Sequence, residues 1–557
     1  MIKNKISNHT FLAILMIEGI LFVFLAIFAS TLGLDPNPNW GKKRFVLSFI
    51  GFVLICVSVL LFIQKPRLED TDKIKRIFLF THICVFIFII YAWFITYGTF
   101  TEWRASTHFY TQLADAFGKG QLNVDVDPGQ GLLNAKDPYN SESRPEFDDE
   151  VWDLSLYNGK LYLYWGPIPA LVLTPVQLLL KISFRDMYLV YLFLCGLLIF
   201  NTLIILKIRD LFFSYVPMRS VILSVFLIGL ILPILWSLNI PDVYEAAIGA
   251  GQFFLIGGIY FIILALEKNN QKRYLFLGGF LWACSVGSRV INTFPVVFLT
   301  ALTLFWVWKI QNGERNWYEI IRSAGALLIP LVFGAFIIGW YNWARFDSPF
   351  EFGLRYQITI YNLNKVMPLV FQPDYLPFNI YAYIIQPFEI TSKFPFILPV
   401  NFSRLLNNLQ IVQPKLYASG RVTGFIFYAP ILLMAFIPFL SISRKNISSP
   451  DKKLLQKFVV YLLGGSFLIS FATLLFYFYG QMRFLVDFIS QFTLLAIMGY
   501  WSVLRSSTTS KILIYGVNTL ILVTLIASFL LSFSSESSRI EKFNPALMER
   551  INIISPY

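Results

Sequence analysis

Apolar runs of about twenty residues recur along the whole chain, separated by short basic or polar turns. A run of that length crosses roughly 30 Å of hydrocarbon as a helix. The period-two alternation of a membrane barrel is missing, and a helix satisfies its own backbone polar groups in lipid, so helices are the predicted element. The runs fall near 11–33, 45–64, 77–97, 187–206, 220–238, 245–266, 274–288, 291–309, 323–343, 423–442, 458–479, 484–504 and 512–533. They predict an all-α polytopic membrane protein with about thirteen transmembrane helices. The first run follows Lys3 and Lys5 but is too long for a signal sequence, and no small-residue cleavage site follows it; it reads as an anchor.

Two long polar interruptions break this pattern, one after residue 97 and one over 344–421. The second is rich in Asn, Pro, Tyr and Phe, too polar to span and too aromatic for a disordered linker. The piece 168–181 is short and carries Pro167, Pro169 and Pro175 in or beside it, so it is predicted to lie in the membrane interface. With that choice the basic turns fall on one side: Lys65, Arg67, Lys73, Lys75 and Arg76; Lys207, Arg209 and Arg219; Lys268, Lys272 and Arg273; and Arg444, Lys445, Lys452, Lys453 and Lys457. Positive-inside patterning makes that side cytoplasmic and puts both polar interruptions outside, although Lys42-Lys43-Arg44 in the first outer turn runs against it. Four parts follow: an N-terminal hairpin over 1–76, a transmembrane module over 77–343 with the outer loop 98–186, a second outer segment over 344–421, and C-terminal helices with a short tail over 422–557.

Composition agrees with this reading. The chain is 57% hydrophobic and 14% charged, against roughly 25% charged residues in soluble domains. Its net charge of +13 sits in the turns between spans and on no single face, which argues against a nucleic-acid partner. Cys56, Cys84, Cys195 and Cys284 all fall inside apolar runs and form no disulfide framework or CxxC pair. No Walker A loop, GxGxxG, HExxH or nucleophile elbow occurs.

Against the basic trend, Thr101 to Pro169 holds eleven Asp or Glu residues and five Lys or Arg. Residues 108–118 read as a short amphipathic helix with Phe109, Leu113 and Phe117 on one side and Asp115 off that stripe. Residues 152–162 alternate apolar and polar positions around an Asn158-Gly159 turn, which holds Asp153 among aromatic neighbours. A carboxylate beside a low-dielectric surface gains basicity, the property a base for a sugar or lipid hydroxyl needs. The other loop acids, Asp125 through Glu150, read as solvation. Arg289, between two tightly spaced spans, is a costly intramembrane charge with two readings: phosphate binding, or a structural pair with Asp242 or Glu245.

These strings resemble the GT-C superfamily of integral membrane glycosyltransferases, in particular bacterial relatives of the dolichyl-phosphate-mannose mannosyltransferases. The resemblance rests on the Tyr-x-x-x-Ala-Asp-Ala-Phe helix at Tyr110, the Gly-Lys-x-Tyr strand at Lys160 and Tyr162, and the Pro-x-Pro-Ala helix at Pro167. The small-residue helix ending in Arg289 and the Tyr341-Asn342-Trp343-Ala344-Arg345-Phe346 string add to it, with a weaker echo at Arg483. It covers roughly 77–355. One feature departs: where such enzymes carry an acidic pair before the first Tyr, this chain has Ser106-Thr107-His108, and Glu102 is the nearest acid upstream.

The resemblance implies transfer of a sugar from a polyprenyl-phosphate donor to a lipid or glycan acceptor, on the outer (periplasmic) face of a bacterial inner membrane. An outer-loop carboxylate takes the acceptor proton, and the acceptor displaces the lipid phosphate with inversion. Asp115 and Asp153 are the expected bases, with Glu102 third. His108, Tyr110, Lys160, Tyr162, Asp242, Glu245, Arg289, Arg345 and Arg483 are the expected substrate-binding positions. No metal ligands are assigned, although some of these enzymes use a divalent metal. Two other readings stay open: a lipid-linked saccharide transporter, which the scarcity of ionisable residues within spans counts against, and a polysaccharide polymerase or ligase.

Overall fold

The computed structural model describes residues 8–35, 41–63, 71–104, 107–146, 149–181, 183–268, 270–310, 317–441, 450–504, 511–534 and 539–554. Lys3, Lys5, Lys65, Arg67, Ser106, Arg444, Lys445 and the loop acid Asp148 lie outside the described residues.

The apolar runs form α1 (Asn8–Ile27), α2 (Lys42–Ile63) and α3 (Thr71–Ile95) before the first outer segment, which itself contributes α4 (Phe109–Gly118) and α5 (Ile168–Leu180). Then come α6 (Asp186–Phe212), α7 (Met218–Leu230), α8 (Leu232–Asn239), α9 (Val243–Glu267), α10 (Lys272–Ser288), α11 (Thr293–Ile310) and α12 (Trp317–Phe346). After the second outer segment follow α13 (Pro450–Leu475), α14 (Val486–Val503), α15 (Lys511–Ser532) and a tail helix α16 (Pro545–Ile554). The chain is a polytopic, all-α membrane protein.

Among the described residues nine helices are long and apolar enough to cross a bilayer, or ten if α7 and α8 are one span bent by 41°. The bend falls where Pro233, in the first turn of α8, has no N–H to continue the ladder. Three of the thirteen expected spans lie outside this count: α2, α10 with its 17 residues, and 423–442. The last is broken into Phe425–Tyr428, a 3-10 stretch Pro430–Phe436 and Ile437–Ser441. Burial separates centre from rim: the span ending in α14 is 100% buried and α9 78%, whereas α12 is 17% buried and presents Phe333, Phe336 and Trp343 outward.

Ion pairs mark the two ends of the bundle. At one end Arg76 meets Asp210 (2.6 Å), Lys207 meets Glu267 (2.5 Å) and Lys272 meets Glu319 (2.5 Å). At the other, Arg289 meets Asp487 (2.7 Å) and Arg539 meets Asp242 (2.7 Å). That second end carries both long polar segments and the tail, where Asn544 donates to the Tyr97 carbonyl at 2.8 Å. Asp186, the first residue of α6, bonds Thr107, Phe109 and Tyr110 at the start of the outer loop. The stretch 107–186 therefore begins and ends on one face, and α5 does not carry the chain across.

Among the described residues, the strands lie in or beside the polar segments, except Tyr479–Gly480 in the link before Arg483. β1 (Ser155–Tyr157) and β2 (Lys160–Tyr162) pair antiparallel with Ser155 opposite Tyr162, through the Asn158-Gly159 turn at φ 48° and 74°. β3 (Phe388–Ile390), β4 (Ile397–Asn401) and β5 (Arg421–Val422) form a three-stranded antiparallel sheet. Ala418–Ser419 pairs parallel with Tyr479–Gly480, tying the second outer segment to the link that carries Arg483. A Cβ on Gly166 would sit 2.0 Å from the Gly287 carbonyl oxygen. Only glycine fits there, and this contact seats the exit of the outer loop two residues before Arg289.

Candidate active site

Asp153 stands just before β1 with a left-handed backbone, φ 66°. Its N–H donates to the Ile358 carbonyl (2.9 Å) and Ile358 N–H donates to the Leu154 carbonyl (2.8 Å), so the second outer segment clamps this residue against the first. The side chain is 7% exposed. Gln357 Nε2 donates to Oδ1 at 2.8 Å, and the Tyr244 hydroxyl donates to Oδ2. Burial raises the Asp153 pKa above the ordinary carboxylate value; the Tyr244 bond, the nearby Arg483 charge and the Gln357 bond oppose it without cancelling it.

Tyr244 and Glu245 sit in the first turn of α9. The Arg483 guanidinium lies 4.1 Å from the Tyr244 ring centroid, and its Nη1 is 3.6 Å from Glu245 Oε1. Trp165 packs edge-on with that ring, with centroids 5.0 Å apart. Phe484 is shared by two cations: Arg483 is 5.4 Å and Arg289 5.8 Å from its centroid. Arg289 grips Asp487 through Nε (2.8 and 3.0 Å) and Nη2 (2.7 Å). The site thus joins a buried basic carboxylate to two guanidiniums at one end of the bundle. A hydroxyl can be deprotonated at the first while an anion is held by the second pair.

Of the expected positions, Asp153, Glu245, Arg289 and Arg483 converge here. The expected partners of Arg289 are corrected: it pairs with Asp487, because Glu245 faces Arg483 and Asp242 is taken by Arg539. Tyr110 lies fully buried below the loop. Its hydroxyl has no hydrogen-bond partner among the described residues, and burial pushes the phenol well above its ordinary range.

The rest stand elsewhere. Asp115 is exposed on α4 and accepts from Gln177 Nε2 of α5 at 2.6 Å. Glu102 accepts from Arg104 Nε at 3.0 Å in a half-exposed pair. Lys160 is exposed beside the hairpin turn, Tyr162 packs edge-on against Phe346, and His108 is a partly buried residue ahead of α4. Arg345, 3% exposed, spends its donors on the Leu163 carbonyl (2.6 Å), Asn342 Oδ1 (2.8 Å) and the Tyr341 carbonyl (3.3 Å). It fixes the residue after β2 to α12.

Sequence reasoning passed over Tyr244, Gln357, Asp487 and Asp186 as site residues. Asp186 and Asp487 had a signal, being acids at the borders of long apolar runs, where a charge is expensive. Among the described residues no group of three or more His, Cys, Asp or Glu side chains is placed to hold a metal ion. A divalent metal therefore has no ready ligand set among these residues.

No protein-family model matches the chain, and no curated protein does. Among solved structures it is similar to the Archaeoglobus fulgidus oligosaccharyltransferase in its apo form, at 12% identity and a TM-score of 0.41, over 82% of this chain and 56% of that one. The archaeal oligosaccharyltransferase AglB from Archaeoglobus fulgidus, in complex with an inhibitory peptide and a dolichol-phosphate, gives 12% identity and a TM-score of 0.40 over 82% and 55%. The chain thus spans a little over half the length of those proteins.

Proposed function

We propose that this chain is a GT-C-type membrane glycosyltransferase that moves a sugar from a polyprenyl-phosphate donor to a lipid or glycan acceptor. Its place is the bacterial inner membrane, with the site on the outer face. The observation that carries the reading is the buried Asp153 carboxylate, raised in basicity by its surroundings and set beside Arg483 and Arg289 at the end of the bundle that bears both outer segments.

In this mechanism Asp153 accepts the proton of the acceptor hydroxyl while Tyr244 and Gln357 hold its two oxygens in place. The acceptor oxygen bonds to the anomeric carbon from the face opposite the phosphate. The bond between that carbon and the phosphate oxygen breaks, its electron pair leaves with the lipid phosphate, and the configuration inverts. Arg483 and Arg289 take up the charge that develops on the departing phosphate.

The test is transfer of radiolabelled sugar from undecaprenyl-phosphate sugars to membrane acceptors by the purified chain in nanodiscs. Replacing Asp153 by Asn removes the base at nearly constant shape and is expected to lower kcat by about 10² to 10⁴-fold. Wild-type turnover in Asp153→Asn refutes the assignment of the base.

A further inference from the structure

Asp186 is fully buried at the head of the 27-residue α6, and the mechanism above does not use it. Its carboxylate accepts three hydrogen bonds: from Thr107 Oγ1 at 2.7 Å, from the Phe109 N–H at 3.0 Å and from the Tyr110 N–H at 3.0 Å. The last two are the first N–H groups of α4, which have no partner inside that helix and which His108 does not cap with its side chain. A negative charge at this end also meets the positive pole of the helix.

Thr107 carries the arrangement further. While its hydroxyl hydrogen points to Asp186, its oxygen accepts the N–H of Val243 at 2.8 Å. Val243 is the first residue of α9, and its N–H is an orphan of the same kind. One buried carboxylate and one hydroxyl therefore anchor two helix starts to each other. The next two residues of α9 are Tyr244, which donates to Asp153, and Glu245, which faces Arg483. Thr107 and Asp186 touch neither Asp153 nor Arg483 through any of these bonds.

We infer that Asp186 and Thr107 are positioning residues, whose shared hydrogen bonds hold the first turn of α9 so that the Tyr244 hydroxyl meets the Asp153 carboxylate. This rests on the transferase reading given above. The Tyr244 bond favours the ionised form of Asp153, so a displaced Tyr244 leaves that carboxylate more basic and moves the acid limb of the rate profile to higher pH. The titratable groups around Asp153 are Tyr164 of its own segment, Tyr244 of α9 and Arg483 of the turn after α13; of these only Tyr244 hangs directly on the Thr107 anchor.

The experiment uses the full chain in nanodiscs with undecaprenyl-phosphate sugars as donors. Thr107→Val removes the hydroxyl at constant shape; Thr107→Ser restores it; Tyr244→Phe removes the donor itself. The expected result for Thr107→Val is a kcat lower by roughly tenfold, of the size that small misplacements of catalytic groups produce, with the donor KM within a factor of two and an acid limb moved upward. Thr107→Ser is expected to match the wild type. The double variant Thr107→Val/Tyr244→Phe is expected to lose no more than Tyr244→Phe alone, since both changes remove one interaction.

A Thr107→Val protein with wild-type kcat and acid limb overturns the inference, as does a double variant whose losses multiply. If Thr107→Val fails to fold, Thr107→Ala, which also removes the hydroxyl oxygen that accepts from Val243, replaces it with the same expectations against Tyr244→Phe. A wild type inactive with every lipid-linked sugar overturns the transferase reading and this role with it. An active wild type with an indifferent Thr107 overturns this role alone.

Discussion

The Arg289 and Asp487 pair offers a way to separate building from chemistry at the site. Three hydrogen bonds of 2.7 to 3.0 Å join the two groups, and the side chains are 16% and 3% exposed. Replacing Arg289 by Met strands a carboxylate in a low-dielectric interior, and replacing Asp487 by Leu strands a guanidinium. Either single change is expected to cost about 3–5 kcal/mol, the usual penalty for breaking a buried pair. The double variant removes both charges and fills their space with apolar groups, so its stability is expected within about 1 kcal/mol of the wild type, or above it. Thermal unfolding of the four proteins in detergent gives the ordering, and the transfer assay is run on the same preparations. The expected outcome is a double variant that melts near the wild type and transfers no sugar. Single variants that melt with the wild type would refute the buried pair. A double variant with full transfer activity would refute a part for Arg289 in handling the leaving phosphate.

Three further outcomes follow from the geometry. Because burial raises the Asp153 pKa, the pH profile of kcat should show an acid limb displaced upward from the ordinary Asp value of about 3.9. The same shift means the folded chain binds this proton more tightly than the unfolded one, so its contribution to stability is present at acid pH and lost as pH rises through the folded pKa. Asp115→Asn and Glu102→Gln lie away from the site, in contacts with Gln177 and Arg104, and are expected to keep kcat within about threefold of wild type, far from the losses of a missing base. Arg539→Ala leaves the 7% exposed Asp242 without its 2.7 Å partner and is expected to destabilise by about 1.5–3 kcal/mol, read as a lower melting temperature.

What the sequence disclosed and what it withheld divide along physical lines. Local patterns were readable: the apolar runs mark the long helices, with α13 starting at 450 where the run suggested 458, the Phe109, Leu113 and Phe117 stripe marks α4, and Asn158-Gly159 marks the hairpin; the division of 220–238 into α7 and α8 and the breaks in 423–442 were not readable. Short proline-flanked α5 was also legible as a segment that does not cross. Pairings between distant segments were not. Asp153 takes its donors from Gln357, 204 residues on, and from Tyr244, 91 residues on. Nothing periodic in either stretch announces such a contact. Arg289 illustrates the limit best: its cost in the membrane demanded a partner, and the nearest acids in the outer turn, Asp242 and Glu245, were reasonable choices on sequence distance. The fold instead spent those acids on Arg539 and Arg483 and delivered Asp487 from α14.

The 198 residues between Arg289 and Asp487 also set a timetable for the chain's birth. Translation at roughly 5–20 residues per second delivers the arginine to the membrane about 10–40 s before its counter-ion exists. Through that interval α10 and α11 carry the guanidinium without its native partner. The last third of the polypeptide thus supplies the counter-ion for a charge made in the first two thirds, and this contact can form only once α14 has been made.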